Sequence, residues 1–295
     1  MQTSTDFAHC MENPAARHLQ QGAFYAILCA PNESSKMSAA ENPFKTALAS
    51  GVPQIGLWMG NASPYLAELV AGAGFDWVVV DGEHAPNDLR SITAALAVMA
   101  ARPSAPVVRL PVGAEWMVKQ VLDAGCKTLL IPMVESAAHA AAMVAATRYP
   151  PLGRRGVGAG LARASDFGRD AGYMAGADAG ICLLLQVESR AGLAALDAIL
   201  ALDGVDGVFI GPADLAADMG FPGQSDAPEV LAAIDDALLR IRAAGKSAGI
   251  LAPQQARAQH YLDLGANFVA VGIDINLLVG ALAALRNTFK PEQNT

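Results

Sequence analysis

Asp81, Glu83 and His84 stand together in Asp81-Gly82-Glu83-His84, immediately after the apolar run Val78-Val79-Val80. A carboxylate within a turn of an imidazole can fix its tautomer and raise its basicity, which makes a general acid–base unit of Asp81 and His84. Glu83 is read as orienting the turn. The same passage from apolar run to polar residues recurs twice. Ile181-Cys182-Leu183-Leu184-Leu185 leads into Gln186-Val187-Glu188, and Val208-Phe209-Ile210 leads into Gly211-Pro212-Ala213-Asp214. Carboxylates on successive strand ends, Glu188 and Asp214, can share one hard cation and leave coordination positions for water and substrate oxygens. That donor set suits Mg²⁺ or Mn²⁺ better than structural zinc. N-capping of the following helices, or surface ion pairing, is the competing explanation. Arg109 closes a run through Val107-Val108. It can polarise a carbonyl oxygen, or act as a structural clamp on Asp81 or Glu188.

The remaining basic residues narrow the chemistry. Lys127 and Lys246 precede strand-like runs, Lys45, Lys119 and Lys290 fall in or beside expected helices, and Lys36 lies near the N-terminus. None is placed at a strand's C-terminal end, so an imine mechanism lacks an obvious nucleophile. His9, His18, His139 and His260 fall in the N-terminal segment or on expected helices and are read as structural. The run Gly153-Arg154-Arg155-Gly156-Val157-Gly158-Ala159-Gly160 lacks the lysine–hydroxyl ending of a phosphate loop. It is read as a mobile active-site or interface loop whose arginines meet an anionic substrate.

The elements that carry these residues alternate. Strands are expected at Gln54–Met59, Trp77–Asp81, Val107–Leu110, Thr128–Pro132, Ile181–Val187, Gly207–Ile210, Ser247–Leu251 and Phe268–Val271. Helices are expected at Pro64–Ala73, capped by Ser63, and at Asp88–Ala101, Glu115–Ala124, Ala137–Ala146, Pro228–Ala244, Gln254–Leu264 and Ile275–Phe289. Glycines at Gly74, Gly125, Gly245 and Gly265 offer the left-handed residue that turns a helix back toward the next strand. About eight such units in roughly 250 residues is the size of a (β/α)₈ TIM barrel. A doubly wound sheet would show a topological switch point, and none is visible. On a barrel, Trp58, Asp81, His84, Arg109, Gln186, Glu188 and Asp214 would share one face.

The chain has 295 residues, 53% hydrophobic and 16% charged, with a formal net charge of -8. That composition supports a large core, and without a basic cluster it argues against a nucleic-acid partner. No apolar run approaches the ~20 residues of a bilayer span. Residues 23–30 resemble a short signal core, but the upstream segment carries Asp6 and Glu12 and lacks a basic start. Cys10, Cys29, Cys126 and Cys182 form no CxxC pair, so reduced thiols in the cytoplasm are expected. Residues 1–36 read as an N-terminal extension or a start-site artefact, with Met37 as the natural start and 37–295 as a single domain.

Taken together, Pro53-Gln54-Ile55-Gly56-Leu57-Trp58, Asp81-Gly82-Glu83-His84-Ala85-Pro86-Asn87, Arg148-Tyr149-Pro150-Pro151, Arg155-Gly156-Val157-Gly158 and Gly207-Val208-Phe209-Ile210-Gly211-Pro212-Ala213-Asp214-Leu215 resemble the HpcH/HpaI aldolase family. The resemblance runs from about Asn42 to Phe289. It implies a metal-dependent, class II pyruvate aldolase on a (β/α)₈ barrel, assembled as a homohexamer. It further implies that Glu188 and Asp214 hold Mg²⁺ or Mn²⁺, with Co²⁺ as a third candidate. His84 paired with Asp81 would move protons, and Arg109 would contact the keto oxygen. Gln186 would support the site, the amides near Ala213 and Asp214 would bind the substrate carboxylate, and Trp58 and Leu251 would line the pocket. The implied reaction cleaves 4-hydroxy-2-oxoheptanedioate to pyruvate and succinate semialdehyde, its partners being a 2-oxo acid and an aldehyde. An aldolase for a sugar-derived 2-keto-3-deoxy acid, a citramalyl- or malyl-CoA lyase, and a non-catalytic barrel that binds 2-oxo acids remain alternatives.

Overall fold

A computed structural model describes residues 39–290 of the chain. The expected extension over residues 1–36, with Cys10, Cys29, His9 and His18, lies outside these described residues. The strands are β1 (Gln54–Met59), β2 (Trp77–Asp81), β3 (Ala105–Arg109), β4 (Thr128–Ile131), β5 (Cys182–Val187), β6 (Gly207–Ile210), β7 (Ser247–Leu251) and β8 (Phe268–Ile273). They pair in parallel in chain order, and β8 returns to β1, closing a (β/α)₈ barrel. The strands are buried almost throughout because both faces are covered: helices outside, side chains within. All four inter-element glycines do adopt left-handed φ, at 94°, 99°, 74° and 97° for Gly74, Gly125, Gly245 and Gly265.

The helices are α1 (Pro43–Ser50), α2 (Pro64–Ala71), α3 (Leu89–Met99), α4 (Glu115–Asp123), α5 (Ala137–Thr147), α6 (Tyr173–Gly180), α7 (Arg190–Leu200), α8 (Pro212–Asp218), α9 (Pro228–Ala243), α10 (Gln255–Asp263) and α11 (Asp274–Phe289). Sequence reading omitted α1, α6, α7 and α8. The α6 stretch is rich in glycine and alanine, α8 is only seven residues long, and α1 shows a single apolar pair. In α7 the signal was present, with Ser189 accepting from the Gly192 N–H at the N-cap. Ser63 occupies the N-cap of α2, but its hydroxyl makes no capping bond.

Two layers of core result. Outward-facing strand residues such as Val78, Val80, Leu129 and Leu183 pack against the helices. Inside the barrel runs a column of rings. Phe44 of α1 meets Trp77 at 5.9 Å, Trp77 meets Phe268 at 5.9 Å, Phe268 meets Phe209 at 5.8 Å, and Phe209 meets Trp58 at 5.6 Å. Helix α1, fixed through Asn42 bonds to Thr128 and Gly180, supplies Phe44 and Leu48 to this inner core. Trp58 then presents its ring to the pocket at the strands' C-terminal ends. Cys126 and Cys182 are buried free thiols, and burial pushes the Cys126 thiol up to about 12. No helix among the described residues is long and apolar enough to cross a membrane.

Candidate active site

The β2–β3 register sets Asp81 directly beside Arg109. The guanidinium forms a two-pronged bond with the carboxylate, Nε to Oδ1 at 2.8 Å and Nη2 to Oδ2 at 2.7 Å. Its Nη1 forms an ion pair with Glu83 Oε2 at 2.7 Å, and its Cζ lies over the Trp58 ring, 4.7 Å from the ring centre. Trp58 Nε1 also donates to Asp81 Oδ2 at 3.1 Å. The backbone N–H groups of Glu83 and His84 donate to Oδ1 at 2.9 and 3.4 Å. Burial alone would raise the Asp81 carboxyl. The bonds from Arg109, its charge, and the Glu83 and Trp58 donors outweigh that and hold it below its ordinary value.

The two Asp81 oxygens accept from Arg109, Trp58 and two backbone N–H groups, and none of these donors is the His84 imidazole. The His84 side chain stands exposed at the pocket and makes no hydrogen bond with the described residues. Arg109 clamps Asp81, and its second ion pair is with Glu83 rather than Glu188, a charge contact in which Glu83 Oε2 accepts no hydrogen bond.

Glu188 follows β5 and is buried, at 2% exposure. Its Oε1 accepts from the Met133 N–H at 2.9 Å, and its Oε2 accepts from Gln186 Nε2. Met133 reaches this position with a φ of 51°, uncommon for a residue other than glycine. Burial raises the Glu188 carboxyl above its ordinary value, and the nearby charge of Asp214 adds to the shift. Gly211 makes the room: a Cβ there would lie 2.3 Å from Glu188 Oε2. Asp214 stands not at a strand end, as expected, but in the first turn of α8. The first-turn N–H groups at Ala213 and Asp214 have no intrahelical carbonyl to bond.

These groups fit a hard cation. A buried carboxylate stripped of water lies within electrostatic reach of a second, exposed one, and the buried Gln186 Oε1 has no hydrogen-bond partner. No group of three or more His, Cys, Asp or Glu residues gathers for a metal among the described residues. A cation held here would therefore complete its coordination with water and ligand oxygens, as Mg²⁺ and Mn²⁺ do.

A cavity of about 370 Å³ at the C-terminal ends of the strands brings every predicted position together: Trp58, Asp81, His84, Arg109, Gln186, Glu188, Ala213, Asp214 and Leu251. Sequence reading missed Phe209, Ile273 and Ile275, which join Leu251 in an apolar wall. Ile273 was legible only had β8 been carried two residues further, and Ile275 only from knowing how α11 leaves the barrel. Asp274 fixes that departure by accepting from the Gly60 N–H at 2.8 Å and the Asn61 N–H at 3.3 Å. Among the described residues no lysine lines the cavity. The glycine–arginine run does not reach it either. Arg155 is buried between Tyr149 and Tyr173 with a 2.8 Å bond to Asp123, and Arg154 pairs with Glu115 on the surface of α4.

Comparison with known proteins agrees with this architecture. Residues 54–281 match the family described as HpcH/HpaI aldolase/citrate lyase. A hydroxypyruvate/pyruvate aldolase of Roseovarius nubinhibens is 61% identical over 242 residues, covering 82% of this chain and 94% of that protein. A 4-hydroxy-2-oxo-heptane-1,7-dioate aldolase of Salmonella dublin is 54% identical over 254 residues, covering 86% and 97%. The crystal structure of an HpcH/HpaI aldolase/citrate lyase family protein from Burkholderia cenocepacia superposes with a TM-score of 0.82 at 39% identity, covering 85% of this chain and all of that one.

Proposed function

The chain belongs to the HpcH/HpaI aldolase family, and from that premise we propose that it cleaves 4-hydroxy-2-oxo acids reversibly to pyruvate and an aldehyde. The observation that carries this reading is the meeting of the Glu188–Asp214 pair and the Arg109–Asp81 clamp in one cavity. Glu188 and Asp214 would hold Mg²⁺ or Mn²⁺, with Co²⁺ as a third candidate. Such a cation, when bound, supplies Lewis-acid polarisation of the 2-oxo acid.

The protein's own groups divide the remaining work. The free N–H groups of the first turn of α8 bind the substrate carboxylate. Arg109, held rigid by Asp81, donates toward the keto oxygen, where negative charge builds as the C3–C4 bond opens. Gln186 holds Glu188 in place. His84, exposed at the cavity, takes the proton of the C4 hydroxyl through a water and returns one to C3. The C4 hydroxyl carbon leaves as the aldehyde, and the three-carbon fragment leaves as pyruvate. The apolar wall of Trp58, Phe209, Leu251 and Ile273 receives the aldehyde chain.

For the substrate, 4-hydroxy-2-oxoheptanedioate gives pyruvate and succinate semialdehyde. The name of the 61% identical relative supports a second reading, in which hydroxypyruvate replaces pyruvate as the three-carbon partner. An acceptor derived from a sugar falls within the same chemistry. Self-association is supported by α11, none of whose residues is buried and which exposes Leu277, Leu278, Val279 and Leu282 at 50–60%. The hexamer implied by resemblance is tested by light scattering. The buried free thiols suit a reducing cytoplasm.

The deciding experiment measures pyruvate release from a panel of 4-hydroxy-2-oxo acids before and after exhaustive chelation. Release that stops on chelation and returns with Mn²⁺ or Mg²⁺ is the expected result. Full activity after chelation refutes the cation, and no release from any member refutes the aldolase.

A further inference from the structure

We propose that Glu83 is a positioning residue that holds Arg109 away from Glu188, so that the guanidinium serves the substrate oxygen and the carboxylate stays available to a cation. The proposal rests on the aldolase reading for its catalytic half, but its geometry stands on its own.

Arg109 is restrained on three sides. Asp81 takes the edge formed by Nε and Nη2 with two hydrogen bonds, Trp58 lies against the group, and among the described residues Glu83 meets the Nη1 end at 2.7 Å as an ion pair without hydrogen-bond alignment. Both partners of this last contact are withdrawn from water, with side-chain exposures of 6% for Arg109 and 16% for Glu83. Glu83 does not line the cavity, whereas Arg109 does. Its carboxylate touches the guanidinium rather than the cavity.

Glu188 is the rival. The positive charge of Arg109 is already felt at Glu188, and Glu188 is a buried carboxylate with only neutral donors bonded to it. A guanidinium released at Nη1 has an anion to turn toward. Arg109 would then take the place meant for a cation and leave the position facing the keto oxygen. With Glu83 present, two carboxylates outside the cation site, Asp81 and Glu83, compete for Arg109 against one inside it. A residue that merely orients the turn needs no such contact, because the turn is already fixed by the Glu83 and His84 N–H groups on Asp81.

A double-mutant cycle tests this. Glu83→Ala, Arg109→Ala and the double variant are titrated with Mn²⁺ by calorimetry and assayed for pyruvate release. In the presence of Arg109, Glu83→Ala should weaken Mn²⁺ binding and lower kcat/KM by roughly tenfold to a hundredfold, the usual size of losing an orienting partner. In the Arg109→Ala background the same change should leave Mn²⁺ affinity unaltered, because the intruding guanidinium is gone. Equal losses in both backgrounds, or no loss in either, overturn the proposal. Where Glu83→Ala does not fold, Glu83→Gln keeps the shape, removes the charge and carries the same cycle. If the wild-type chain releases no pyruvate, the aldolase reading fails, and the Mn²⁺ cycle still decides the role of Glu83.

Discussion

Asp81→Asn is the sharpest test of how the site is built. Asp81 Oδ1 accepts three N–H donors and Oδ2 accepts two. An amide must turn its NH₂ toward one of these sets. The milder choice places it at Oδ2, where Arg109 Nη2 and Trp58 Nε1 lose their acceptor. Orphaning a buried donor costs about 1–3 kcal/mol, so two give about 2–6 kcal/mol. That overlaps the roughly 3–5 kcal/mol typical of breaking a buried ion pair from one side. For a domain of this size each kcal/mol shifts Tm by roughly 2–4 °C, so a fall of roughly 6–20 °C is expected. The pH dependence gives a second signature. The Asp81 carboxyl lies below its reference value of 3.8, so its stabilisation is fully present above that value and is lost as pH falls through the folded-state value. The wild-type and variant melting curves should therefore be separated by a constant gap from neutral pH down to about 5 and converge in stronger acid. Circular dichroism melts at fixed protein concentration and urea titrations measure both. A gap under about 2 °C at neutral pH, or one that persists unchanged into acid, would refute the clamp.

Other outcomes follow from the same geometry. Glu188→Gln should shift the Mn²⁺ titration to much higher concentration without unfolding the protein, and an unchanged midpoint removes Glu188 from the cation site. Gly211→Ala places a methyl group against Glu188 Oε2. It should reduce pyruvate release at least about tenfold with a native circular dichroism spectrum, and wild-type turnover would show that the carboxylate need not stay where it is. Borohydride reduction in the presence of pyruvate should leave the intact mass unchanged, since no lysine among the described residues lines the cavity. A lysine adduct would establish imine chemistry instead.

The barrel was readable because its strands are apolar on both faces and four of its helices are followed within a few residues by glycines of left-handed φ. That the candidate residues gather at one cavity was readable because most of them lie at or just beyond the end of a strand. Their partners were not. Whether Asp81 serves an imidazole or a guanidinium depends on β2–β3 register and on an indole from β1, which no local pattern in Asp81-Gly82-Glu83-His84 encodes. Asp214 was found without α8, because a seven-residue helix leaves too little periodicity. Glu83 looked like a turn residue because its partner lies 26 positions away in the chain, on β3. The arginines of the glycine-rich run suggested an anionic substrate, yet their acceptors turned out to be Asp123 and Glu115.

The ring column beneath Trp58 ties durability to turnover. The face that steadies Arg109 is the top of the same stack that fills the barrel down to Phe44. Thinning that stack, for instance at Phe268, would both soften the interior and let the guanidinium wander. Selection for heat tolerance and selection for reaction fidelity would thus act on shared positions. Redesign for new aldehydes has more freedom at Leu251 and Ile275, which line the cavity without belonging to the rings, than anywhere along the stack.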